Sequence, residues 1–140
     1  MASADEDAVL EANAAFYDAF ARGDRAAMEA LWSERASIAC IHPGWDALRG
    51  RAKVMASWRA ILSGRGGPPI VFSSPTAHVL GDAAFVVCHE TIEGTRLVAT
   101  NAFVREASAW KMVHHHAAPI ASTNDDEDEE EASPPSGVLN

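Results

Sequence analysis

The chain has 140 residues, 48% of them apolar, and a formal net charge of -9. That length supports one domain with a real core. No apolar run reaches the roughly 18 residues needed to span a bilayer, and no basic cluster is dense enough to hold a phosphate backbone, so neither a membrane nor a nucleic-acid partner is expected.

The N-terminal stretch MASADEDAVLEA has no basic segment followed by an apolar one, so it does not read as a secretory signal and a cytoplasmic location is expected. Ser3 and Glu6 have the spacing of a capping box. A helix follows, with Val9, Ala12, Phe16, Ala19 and Phe20 on one stripe. Gly23 suits its left-handed C-terminal position, and Asp24 then caps a second, shorter helix carrying Met28, Leu31 and Trp32. Residues 36–42 read as a short strand stopped by Pro43-Gly44, residues 45–50 as a loop, and residues 51–63 as a third helix ending at Gly64.

The period then changes. Residues 70–80 form a strand interrupted at Pro75, which cannot donate to a ladder and marks an edge or a bulge. Strands over 83–92, 96–105 and 110–119 follow, separated by Gly81-Asp82, Glu93-Gly94 and residues 106–109. Helices first and an antiparallel meander afterwards is an α+β pattern, with the helices on one face of the sheet. Seven of the twenty acids lie in residues 125–131. The rest of the chain is therefore nearly neutral, and residues 123–140 read as an acidic, disordered tail behind a single domain over 1–122. Cys40 and Cys88 have no CxxC spacing and are expected to be small buried residues.

The order of elements resembles the NTF2-like superfamily, and more narrowly its SnoaL-like and ketosteroid-isomerase-like branch, which also includes the calmodulin-kinase II association domain. The resemblance rests on Ala39-Cys-Ile-His-Pro43, on Leu48-Arg-Gly50 before a helix with Trp58, on Ala99-Thr-Asn-Ala-Phe103 and on Trp110-Lys-Met-Val-His-His-His-Ala117, and it spans about residues 5–122. It implies a cone: a strongly bent antiparallel sheet wrapped around three helices, with a pocket at one end and a homodimer through the outer sheet face. It also implies binding of small apolar or amphipathic molecules, in some members with isomerase, cyclase, dehydratase or hydrolase-like chemistry, while others only assemble. Where the steroid isomerases carry their two acids, this chain aligns Cys40 and Ala99. Enzymatic activity therefore stays open, with a non-catalytic association module as the alternative.

Candidate site residues follow from strand alternation. Ile38, Cys40 and His42 share a face. Cys40 and His42 read either as a nucleophile and its base or as a small core residue and a loop-edge histidine; apolar surroundings raise a thiol's pKa and weigh against the first. Strict alternation puts His114 and His116 on one face with Trp110 and Met112, and His115 on the other with Val113. Three consecutive histidines on a strand cannot all ligate one metal. A pair would need help from a residue such as His89 or Glu90, zinc-type spacing is absent, and no metal or other cofactor is expected. The functional reading is a neutral histidine bonding a ligand or acting as a base near neutral pH; the structural reading is a dimer face on one side and satisfied core positions on the other. Glu90, on an otherwise apolar face with Cys88 and Ile92, is an acid or base if buried. Asn101 sits among apolar neighbours and needs partners. The expected catalytic set is His42, Glu90 and His116. The expected ligand contacts are Cys40, Asn101, His114 and the helix-borne hydroxyl of Tyr17, with Trp45, Trp58 and Phe72 as apolar walls.

Overall fold

The computed structural model describes residues 3–63 and 69–121. Its first helix, α1 (Ala4–Arg22), starts where the sequence asks it to: Ser3 accepts from the Glu6 amide, Glu6 reaches back to the Ser3 amide, and Gly23 closes the helix in the left-handed conformation. Asp24 caps α2 (Arg25–Leu31) by accepting from the Ala27 amide. The third helix, α3 (Arg51–Ile61), follows Gly50, whose φ of 87° and ψ of 154° lie in a region essentially reserved for glycine. The expected stop at Gly64 and the acidic tail over 123–140 lie outside the described residues.

Among the described residues six strands form one sheet: β1 (Ala39–Ile41), β2 (Leu48–Arg49), β3 (Ile70–Leu80), β4 (Ala83–Ile92), β5 (Thr95–Glu106) and β6 (Ala109–Pro119). Their order is β2-β1-β6-β5-β4-β3. The meander β3 to β6 is antiparallel, as expected, and β3 is an edge with its register broken between Ser73 and Thr76, around Pro75. The β4–β5 hairpin turns on Glu93 and Gly94, both at positive φ, which is the turn that matches strand twist. Two features depart from the sequence reading. The strand expected over 36–42 is only three residues long and pairs parallel to β6. The expected loop over 45–50 contains β2, which pairs back onto β1 through Cys40 and Leu48.

The third departure reorients the histidine run. The β5–β6 register shifts between Ala102 and Phe103: Phe103 faces Met112, Ala102 faces His114, and Val113 is the extra residue of a bulge. A bulge moves the alternation by one, so the sequence from Met112 reads in, bulge, out, in, out. His115 is buried with Met112 and Ala117, whereas His116 is exposed and His114 half-buried on the other face. The parity drawn from strict alternation is thereby inverted.

The core lies between the inner face of the sheet and the helices. From α1 it takes Val9, Phe16 and Ala19; from α3, Val54, Met55 and Trp58; from the sheet, Val86, Leu97, Phe103 and Met112. Arg51 fastens the two shorter helices together. Its guanidinium donates to the carbonyls of Trp32 at 3.1 Å, Ser33 at 3.0 Å and Glu29 at 3.0 Å, oxygens that the end of α2 leaves unpaired. That junction feeds directly into the loop before β1. Replacing Arg51 by Met is expected to lower the stability by about 1–3 kcal/mol, the usual worth of bonds to a charged donor. A shift of the urea midpoint at unchanged m-value checks it.

Candidate functional site

Four elements bring polar side chains to one place on the inner face. The buried stripe of α1 carries Asn13 and Tyr17 four residues apart, β4 carries Glu90, β5 carries Asn101, and β6 carries His115. Asn101 and His115 sit directly opposite in the ladder. The Asn101 amide is used on both sides: Nδ2 donates to Asn13 Oδ1 at 2.8 Å and to Tyr17 Oη at 3.2 Å, while Oδ1 accepts from His115 Nδ1 at 2.6 Å. Tyr17 Oη donates in turn to Glu90 Oε2 at 2.5 Å, with Cys88 Sγ at 3.4 Å on its other side. Because a carboxamide oxygen only accepts, His115 carries its proton on Nδ1 and has a lone pair on Nε2.

A second imidazole is held in the same manner by α3. Ser57 Oγ donates to the Val54 carbonyl at 2.7 Å and lies 2.9 Å from His42 Nε2. With its own proton committed, Ser57 accepts, so His42 carries its proton on Nε2 and its lone pair on Nδ1. Cys40 Sγ lies 3.7 Å from Nε2 and 4.0 Å from Nδ1, within a thiol's reach of the lone pair on Nδ1.

Burial sets the charge state of the whole group. It pushes the Glu90 carboxyl up, against the opposing bond from Tyr17, and pushes the Tyr17 hydroxyl well above its usual range with help from Glu90. It brings His42 down to about 4. His115 falls to about 3, from burial first and then from His42, His114 and His116. The Cys40 thiol rises to about 12. At neutral pH both imidazoles are therefore uncharged and Cys40 is a thiol, while the Glu90 carboxyl holds its proton more tightly than an ordinary one. A nucleophilic Cys40 thiolate is not supported.

Glu90, His42 and His115 line one cavity of about 150 Å³. Its walls are apolar: Phe16, Phe20, Trp58, Ile61, Ile70 and Ile92. Phe16 meets Trp58 edge-on at 5.5 Å between ring centres, and the His42 and His115 rings are 6.3 Å apart. Of the residues expected from sequence, His42, Glu90 and Trp58 face the cavity, and Tyr17, Cys40 and Asn101 stand directly behind them. Asn101 is completely buried, so its partners are side chains of the protein. Trp45 packs edge-on against His42 from outside, 47% exposed. Phe72 stacks on Tyr17 at 4.6 Å and lines a neighbouring groove. His116 and His114 are outside the cavity altogether; His114 Nδ1 lies 3.0 Å from the Ala39 carbonyl. The bulge at Val113 is the reason, and His115 occupies the place that strict alternation would not give it.

Sequence reasoning missed three members of the group. His115 is hidden by the bulge. Asn13 has a signal, a polar residue between Val9 and Tyr17 on the apolar stripe of α1. Ser57 is three residues beyond Val54 on the buried side of α3, a spacing that fits its bond to the Val54 carbonyl.

The depressed histidines have a defined effect on stability. Above about pH 6.5, the ordinary imidazole value, both folded and unfolded chains hold them neutral. Below it the unfolded chain takes up protons that the folded one refuses, so stability falls as pH drops toward 4 for His42 and 3 for His115. Glu90 acts with the opposite sign: its raised value favours the fold below the ordinary carboxyl range and costs stability as pH rises. In Glu90→Gln the urea midpoint is expected to rise relative to the parent at about pH 8 and to lose that advantage at about pH 4; in His42→Gln the fall on acidification should become shallower.

Residues 9–122 match the model of the SnoaL-like domain. No curated protein matches the sequence. Among solved structures, an NTF2-like protein from Streptomyces avermitilis, described as a candidate dehydratase, is 33% identical with a TM-score of 0.78, the match covering 84% of this chain and 97% of that one. A candidate calcium/calmodulin-dependent protein kinase type II association domain from Thiobacillus denitrificans is also 33% identical, with a TM-score of 0.69 over 79% of this chain and 93% of its own. A protein of unknown function with a cystatin-like fold from Nostoc punctiforme, 14% identical with a TM-score of 0.71 over 89% of this chain and 97% of its own, shares the fold alone. With its bent sheet, its three helices and a family match over most of its length, this chain belongs to the SnoaL-like family of the NTF2-like superfamily.

Proposed function

We propose that the protein performs acid–base chemistry on a small, largely apolar molecule held in the cavity. Glu90 is the acid, and His115, with His42 beside it, is the base. The observation that carries this reading is that an acid and a base line one apolar cavity while being tied to a single buried amide, Glu90 through Tyr17 and His115 directly. An imidazole held neutral, with a free lone pair, and a carboxyl whose hold on its proton burial strengthens give the cavity a base and an acid.

Two reaction classes fit. In an isomerisation, the imidazole removes a proton next to a carbonyl while the carboxylic acid bonds the developing enol oxygen, and the proton returns at another carbon. In a dehydration, the imidazole takes the proton on carbon and the carboxylic acid gives its own to the departing hydroxyl, forming a double bond and water. The second class is the one named for the Streptomyces relative. The absence of acids at Cys40 and Ala99 does not remove either route, since Glu90 supplies the acid from β4. Hydrogen–deuterium exchange at the α-carbons of single-ring ketones in heavy water tests the reading without the natural substrate. Exchange faster than in buffer is expected, falling about 100-fold in Glu90→Gln or His115→Gln, the lower range for one acid–base group. No acceleration by a folded parent protein, across a panel of such ketones, would count against it.

A second reading, association through the outer sheet face, rests on separate observations and is compatible with the first. Val71 and Val98 are 65% and 39% exposed on that face, beside half-buried Phe85 and Val87, and the Thiobacillus structure is described as an association domain. A homodimer by light scattering at micromolar concentration, converted to monomer by Val98→Arg, is the expected result. A monomeric parent chain would contradict it.

A further inference from the structure

Resting on the reading of the cavity as a small-molecule site, we propose that its ligands are neutral single-ring phenols. Size comes first. The cavity measures about 150 Å³, and an engineered apolar cavity of similar volume in another protein takes up benzene. One six-membered ring with small substituents fills it; a fused polycycle does not. The walls suit a flat aromatic guest, with Phe16 and Trp58 meeting at nearly a right angle and isoleucines closing the remaining sides.

The polar groups then select among single rings. Each imidazole has given its N–H to the protein, His115 to Asn101 Oδ1 and His42 to Ser57 Oγ. The remaining nitrogen of each is an acceptor only. His42 Nδ1 has the Cys40 thiol at 4.0 Å as a weak donor, whereas His115 Nε2 has no protein partner among the described residues. An unpartnered lone pair on a residue that lines a small apolar cavity calls for a hydroxyl proton. One hydroxyl on the ring supplies the proton that His115 Nε2 lacks. Among the described residues no lysine or arginine lines the cavity, and Glu90 does, so a carboxylate of the same size meets an acidic group there.

The test uses the intact chain and three commercial probes at neutral pH: phenol, toluene and benzoate, with binding read by thermal shift and by titration calorimetry. Phenol is expected to bind at least tenfold tighter than toluene, and benzoate not measurably. In His115→Leu the preference of phenol over toluene should collapse toward unity; should that variant not fold, the parent's ligand order alone decides. Equal affinities for phenol and toluene, or benzoate as the tightest ligand, would overturn the assignment. The outcome is separable from that of the exchange experiment. Phenol selectivity without ketone exchange upholds the ligand class and removes the chemistry, and ketone exchange without phenol selectivity does the reverse.

Discussion

The site turns on the carboxamide of Asn101. Its oxygen and its nitrogen together fix three other side chains, on α1 and β6, at 2.6–3.2 Å. A buried amide left without partners costs on the order of 1–3 kcal/mol per unsatisfied group, so the amide, the tyrosine and the histidine hold one another in a single arrangement. That arrangement decides which nitrogen of His115 is basic and which oxygen of Glu90 is occupied. The chemistry offered by the cavity is thus set one layer behind its surface.

The fold supplies the geometry that this layer needs. The inner face of β4 and β5 brings Glu90 and Asn101 under α1, and the α1 stripe delivers Asn13 and Tyr17 onto them. The parallel pairing of β1 with β6 places Cys40 beside His115 in register and carries the chain on to His42. Arg51 holds the end of α2 against the start of α3, and α3 in turn presents Ser57 and Trp58. The bulge at Val113 bends β6 and turns His115 inward at the same step. Curvature and site construction come from the same extra residue.

Much of this was legible in the sequence because the signals are local. The caps at Ser3, Gly23 and Asp24, the change from helical to alternating period at Ile70, and the turns at Gly81 and Gly94 each depend on a few neighbouring residues. Glu90 was legible too, since a carboxylate among Cys88 and Ile92 stands out on an apolar face. What was not legible depends on pairing across the chain. β1 and β2 are two or three residues long and exist because β6 and each other stabilise them. The bulge is a property of two strands in register, and nothing in Met112-Val113-His114 announces it, so alternation assigned the wrong histidines to the interior. Asn13 and Ser57 are ordinary helix residues until the partner they bond is known.

The central claim is that His115 is a neutral base whose tautomer is dictated by Asn101. Nitrogen-15 NMR of the imidazole reads this directly, because protonated and unprotonated ring nitrogens resonate far apart. The account predicts that His115 keeps its proton on Nδ1, with Nε2 unprotonated, from neutral pH down to about pH 4, in line with a value pushed down to about 3. An Nε2-protonated tautomer, or an imidazolium already present at about pH 6 near the ordinary histidine value, would contradict it.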